Sequence, residues 1–594
     1  MKDFTLTKEY LGYQSKKDIT NADPRYLAMG SQNVLINAGE KIVSRDGISL
    51  YGQAGTVGES IIGSYDWNTS TGVERNLRCR DDKIQYAYTT GGVTTWRDLA
   101  TGFSAVRWGF GEWWSATELI DFLLIVNGDS SIRMWTGAIT TFASATANTI
   151  TKQGTNTWAQ DRFLKSGTRQ VTINGTVYTY TGGEATTTLT GVTPDPTAAG
   201  HAVGSVVMQT LVTTASKPGA SYPNDMIVVH KNQAYIGSAT QRTVYVSKNT
   251  DYTDFAFSAT RVPGEGAFLT LDGAVSGLTT QEDAVYISVG RDNWFQTQFT
   301  VSSDNTKENL TIVKLKSGPQ QAAKNHNLIW KIKNSVVYVS NEPTFDTLGR
   351  VENISTPQSK PISDPIDSEF IEYDFTNAHG IYWRNQSYIT LPAESLVLIY
   401  DHENQYWQPP QTIQVSRLAI INGLLYGHAS SIDETYRLFD PEVQSDLDNP
   451  ITSIAAFTYN NYGNRTWQKR FDEYFWEGYA TLATQLFATY KYDFGGSTQY
   501  ISDKLIDLTN PRIQFYTATD GSLGKFSLGK NPIGSVTDSV TDLPKFRTIH
   551  TLNKSAFYEM SVLLYSNEVG FKWELLAHGP NAMLSTADNV AIKT

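Results

Sequence analysis

The sequence predicts an all-β protein: β-propeller-like hairpin repeats with a small inserted β-domain and a C-terminal β-sandwich. Three observations predict it. Strand-sized apolar runs alternate with Asn-, Asp- and Gly-bearing turns along nearly the whole chain, and Ala/Glu/Lys/Leu-rich windows at helical period are almost absent. The composition is rich in turn formers and aromatics, with 46 Gly, 32 Tyr and 14 Trp, and only 18% of residues are charged against the ~25% usual for soluble proteins. At 594 residues the chain exceeds what one core can organise, so two to four domains are expected.

In chain order, RYLAMGSQNVLINAGEKIVSRDGISLYG reads as a strand, a turn at Asn37–Gly39 and a second strand ending near Tyr51. IIGSYDWN and LRCRDDKIQYAYTTGGVTTWRDL follow, then a very apolar strand, Phe122–Val126, the turn Asn127–Gly128 and a short strand, Ser131–Trp135. This first region, 1–139, is assigned to the N-terminal segment and first propeller blades. Residues 140–220 turn Thr-rich, with a hairpin on Asn174–Gly175, and are expected to be a small exposed β-domain inserted between blades. Residues 221–445 supply the remaining blades through MIVVHKNQAYIGS, RTVYVSKNTDYTDFAFS, DAVYISVGRDNWFQT, LIWKIKNSVVYVSN, SLVLIYDHENQYWQPP and RLAIINGLLYGHAS. Such evenly recurring hairpins suit a propeller better than a single sandwich. Ser359–Phe370 is Pro/Asp/Ser-rich and reads as an exposed loop, while FDPEVQSDLDNPIT, around 439–452, is the boundary before the sandwich at 446–594. There, two alternating blocks flank the turn-rich SLGKFSLGKNPIGS.

Function classes narrow by charge and by the lack of clustered chemistry. A net charge of −11 and a pI near 5.3 exclude a general basic wrap around nucleic acid. The single cysteine, Cys79, excludes internal disulfides and CxxC sites and is expected buried on a strand. The N-terminus shows no signal-peptide core and no apolar run approaches a membrane span, so no membrane span is expected. No two of the eight histidines lie at i, i+4, and no P-loop, GxGxxG, GxSxG or calcium loop is present. No catalytic residue, metal site or cofactor is therefore assigned. Asp251/Asp254 and Glu282/Asp283 invite a glycosidase reading, but NTDYTDF and TTQEDAV read as turns. The aromatics Trp108, Phe110, Trp113 and Trp114 leave core packing, an interface and sugar stacking open; Trp108, Trp113 and Trp114 are the candidate interface aromatics.

Three segments carry a family resemblance. In the opening, Asn33, Gly39, Arg45 and Gly47 fall on an N-x-x-hydrophobic…G-x-hydrophobic-x-x-R-x-G pattern leading into the first blade. In the middle, Tyr400, Asp401, Trp407, Gly423 and Phe439–Asp440 match a strand–turn–Trp–hairpin–"Phe-Asp" blade. At the end, FDEYFWEGY, LPKFRTI…FYEMSV and WELLAHGP match a closing sandwich. With these the chain resembles the tail hub, or nozzle, proteins of short-tailed bacteriophages. The resemblance implies a homo-oligomeric ring, six copies, docked below the portal and head-to-tail adaptor proteins. It also implies contacts with tail fibres or tail needle/tip proteins, double-stranded DNA passing the lumen without specific binding, and a place in the virion tail after assembly in the host bacterial cytoplasm. A polysaccharide depolymerase and a glycan-binding adhesin are the competing expectations.

Overall fold

The structure is a computed structural model, and it describes residues 10–15, 25–37, 41–105, 107–214, 217–258, 261–301, 307–315, 321–333, 335–348, 361–458, 469–481, 485–493, 498–506, 545–557, 559–570, 572–580 and 583–585. The protein is all-β and propeller-like. Among the described residues seven sheets follow one another as blades, each opening with a strand that packs beside the first strand of its neighbour. Those first strands are Gly63–Asn68, Gly109–Ser115, Met226–His230, Val275–Gln281, Ile329–Ile332, His379–Trp383 and Val415–Ile421. The last contacts the first, so the ring closes.

Local chemistry explains the hairpins. Lys231–Asn232, Arg384–Asn385 and Asn422–Gly423 join first to second strands with positive φ at both residues, the type I′ geometry whose twist matches the strands. Ile120–Val126 is buried at every position because neighbouring blades cover both of its faces. Cys79 ends Glu74–Cys79 and is fully buried.

The structure departs from the expectations in five places. The seventh blade is Val415–Ile421, Leu424–Ala429 and Thr435–Asp440, and its fourth strand is Gly47–Leu50 from the other end of the chain. The preceding hairpin, Val34–Asn37 and Lys41–Ser44, belongs to no blade: it extends the sandwich sheet beside Trp573–Pro580. The Thr-rich insert leaves the second blade after Ile132–Trp135 and returns to it as Val212–Thr214, so it lies within a blade and not between blades. RTVYVSKNTDYTDFAFS is no hairpin: Thr243–Val246 is followed by a long loop, and its partner is Ala267–Thr270.

The insert's six strands carry a core of their own, including Phe142, Trp158, Phe163, Tyr178 and Tyr180, and bridges Thr179–Thr193 and Gly182–Thr190 curl the sheet towards closure. The fifth departure is the segment expected to be an exposed loop, which buries Ile366 and Phe370 through a short helix, Asp367–Phe370. One apolar cluster runs from Trp330, Phe345 and Trp407 of blades five and six, through Tyr10 and Tyr13, to Trp476, Trp573 and Leu575 of the sandwich. Propeller and sandwich thus share a core. The SLGKNPIGS turn lies outside the described residues.

Candidate functional site: the clasp and the ring axis

The opening motif residues converge where the last blade, the linker and the sandwich meet. Asn33 adopts a left-handed conformation, φ 54, which Asn tolerates better than most residues. Its side chain is fully used: Oδ1 accepts from Thr412 N at 2.8 Å and Arg45 Nε at 3.0 Å, while Nδ2 donates to Thr412 Oγ1 and Thr452 O. Arg45, with no exposed side-chain surface, grips both carboxylate oxygens of Asp446, with Nη1–Oδ1 at 2.7 Å. Only a planar fork makes that bidentate contact. Gly47 completes the motif by close approach: a Cβ there would lie 2.1 Å from Ser445 O.

The "Phe-Asp" of the middle motif receives the closing strand. Phe439 sits at φ 52 beside a register shift, and Asp440 pairs with Gly47. Asp440 Oδ2 accepts from Ser49 Oγ at 2.7 Å, and its Oδ1 lies 3.2 Å from Arg437 Nη1. On the other flank, Lys41 meets Glu574 at 2.8 Å and Lys572 meets Asp46 at 2.7 Å. The Gln408 amide accepts from Ile36 N and donates to Ile36 O, imitating a strand partner. Of the other motif residues, Asp401 caps a turn at Glu403 and Asn404, and Trp407 is buried with Nε1 donating to Ile362 O.

Around the axis, the first strands have one edge without a sheet partner among the described residues, and side chains of adjacent blades bind it. Leu278 N donates to His326 Nδ1 and Leu418 N to His379 Nδ1, each at 3.2 Å. Ile420 N donates to Asp66, and Asn232 both accepts from Trp114 N and donates to Trp114 O. An imidazole can accept only while that nitrogen is unprotonated. Burial, with Arg107 nearby, pushes His326 down to about 4, and burial with Arg417 pushes His379 down to about 3. Burial moves Asp66 the other way, up to about 7.

The candidate interface aromatics separate. Trp108 and Trp113, each 4% exposed, fill the core: Trp108 Nε1 donates to Arg80 O, and Trp113 packs on Phe122 and Tyr252. Trp114 is 44% exposed and remains available to a partner. Asp251 and Asp254 accept from Thr253 N and Ala256 N as Asx turns, and Glu282–Asp283 forms a hairpin turn. Among the described residues no cluster of His, Cys, Asp or Glu is arranged to hold a metal, and no helix is long and apolar enough to cross a membrane. A cavity of about 490 Å³ near Glu59, Arg80 and Asp82 is polar, and Arg80 is ion-paired with both acids and with Asp433.

Asn33 and Arg45 stand out in the sequence, whereas Asp446, which receives Arg45, and the two axial histidines do not. A signal for the latter existed: HNLIW and HGIYW repeat a His-x-x-x-Trp spacing at the starts of blades five and six.

No protein-family model and no curated protein matches the chain. Among solved structures, Kluyveromyces lactis Hsv2 is similar at 8% identity over 59% of this chain and 97% of that one, with a TM-score of 0.24. BBS1N in complex with ARL6DN gives 9% identity over 69% and 98%, TM-score 0.24. Glutaminyl cyclase from Myxococcus xanthus gives 12% over 36% and 90%, TM-score 0.19. At such scores none of them bears on function.

Proposed function

We propose that the chain is a structural subunit of a short-tailed bacteriophage tail, a hub or nozzle protein. Its copies form a ring, six by the resemblance, below the portal–adaptor complex. The ring serves as conduit and gate for DNA ejection and as attachment site for other tail proteins. The observation that carries the reading is the clasp. Asn33 and Arg45, which carry the resemblance, bond to each other and to Thr452 and Asp446 some 400 residues on, while Gly47 pairs with Asp440, so the N-terminal segment is fastened to the last blade and to the start of the sandwich. A subunit that bears axial load needs such fusion, and an acidic chain lets a polyanion pass without holding it.

On this reading the protein needs no catalytic group or cofactor, and its partners are further copies, adaptor proteins and tail fibres or tip proteins. The test is electron microscopy of the purified protein and of the virion tail. Six-fold rings on the tail axis support the assignment. A stable monomer that binds or cleaves host polysaccharide overturns it.

A further inference from the structure

We propose that residues 33–37 and 41–50 form a clasp that docks last in folding and makes completion of the seventh blade conditional on a finished sandwich. Each earlier blade is assembled from strands close in sequence, apart from the insert's return strand, and forms as it is made. The seventh is different. Its fourth strand waits at the N-terminus for Thr435–Asp440, and the hairpin before it waits for Trp573–Pro580. Both acceptors, with Asp446 that receives Arg45, lie in the last third of the chain. Only Arg45 and Asp46 separate the two halves of the clasp, and Arg45 is fixed at the hairpin's base, its N donating to Asn33 O and its Nε to Asn33 Oδ1. Docking one half therefore positions the other. The long span between donor and acceptors raises the closure cost, so only the combined contacts of both modules hold the clasp in place. An unfinished chain keeps an unpaired strand edge on the seventh blade; a complete one does not.

The test uses the full chain with a specific protease sequence inserted between the exposed residues Gln53 and Ala54. After cleavage, the 1–53 fragment is expected to co-elute with the remainder in native buffer. Denaturant should release it at the midpoint where propeller and sandwich signals are lost together. Release in native buffer with the remainder still folded overturns the proposal. In the uncut chain, Arg45→Ala is expected to speed amide exchange at least tenfold in both Thr435–Asp440 and Trp573–Pro580. A rise confined to one strand also overturns it. Should Arg45→Ala fail to fold, Ser49→Ala, which removes one hydrogen bond to Asp440, is read on the same two strands.

Discussion

Replacing Arg162 with alanine should loosen the seat of the insert on the second blade. Arg162 Nε donates to Thr136 O at 2.6 Å, Nη2 lies 2.9 Å from Asp121 Oδ1, and the guanidinium sits 5.1 Å from the Trp67 ring centroid. Burial raises the Asp121 carboxyl, but hydrogen bonds from Ser70 and the Arg162 charge outweigh it and hold the group below its usual range. Breaking a buried ion pair costs about 3–5 kcal/mol. Asp121 would keep donors from Trp67 Nε1 and Ser70 N, which places the loss near the lower end, about 3 kcal/mol. A second variant sharpens the argument. Arg162 sits at φ 74, so Arg162→Gly relieves backbone strain and should be about 1 kcal/mol less damaging than Arg162→Ala. The readout is native-state hydrogen exchange, which reports the insert separately from the blades. Amides of Gln170–Ile173 and Val206–Gln209 should exchange roughly a hundredfold faster, while those of Ala284–Val289 stay unchanged. A change below about twofold in the insert, or a glycine variant worse than the alanine one, would show that Arg162 does not seat the insert.

Three other outcomes are expected. Acid should destabilise the fold: His326, His379 and His578 are buried and depressed to about 4, 3 and 3, so their stabilisation is whole above the unfolded value near 6.5 and is lost as pH falls towards those values. Each contributes a loss of up to about 2 kcal/mol by pH 5, and Asp66, raised to about 7, runs oppositely and offsets about one of them; denaturant midpoints at pH 7.5 and 5 measure the balance, and His379→Gln, which keeps an acceptor without titrating, should flatten it. Gly380→Ala would bring a Cβ to 2.1 Å from the Trp330 ring, whose Nε1 is tied to Ser387, and should cost about 1–3 kcal/mol by denaturant unfolding. Trp113→Ala should cost about 3–5 kcal/mol while Trp114→Ala stays within about 0.5 kcal/mol, a contrast read by the same unfolding assay.

The repeating part of the fold was legible because hairpins are local. Alternation and the turns at Lys231–Asn232, Arg384–Asn385 and Asn422–Gly423 carry their own geometry over a few residues. What local pattern does not encode is partnership across the chain. Val34–Ser44 reads as an ordinary hairpin, and nothing in it says that Leu575 lies beside Ile42. The segment after Val246 reads as a turn and a returning strand because Phe255 and Phe257 alternate, yet Asp251 and Asp254 set successive Asx turns and Thr243–Val246 finds its partner only at Ala267–Thr270. Of the aromatics near 110, composition could not tell which face of Gly109–Ser115 each would take; Trp113 and Trp114, adjacent in sequence, point opposite ways as strand neighbours must. The clasp was half visible: its motif residues stood out, and their chemistry emerged only when Asp446 arrived from 401 residues away.

The second blade gives the insert an unusual tenancy. Met134 pairs with Val212, so the chain leaves and re-enters the blade at neighbouring points of one hairpin ladder. At those two points the chain between them meets the same demand as a tight turn: ends a strand spacing apart, running in opposite directions. The register of the blade is therefore set at those two points and not by the length of chain between them, while Arg162, Leu164 and Met208 fasten this particular module to the blades it touches.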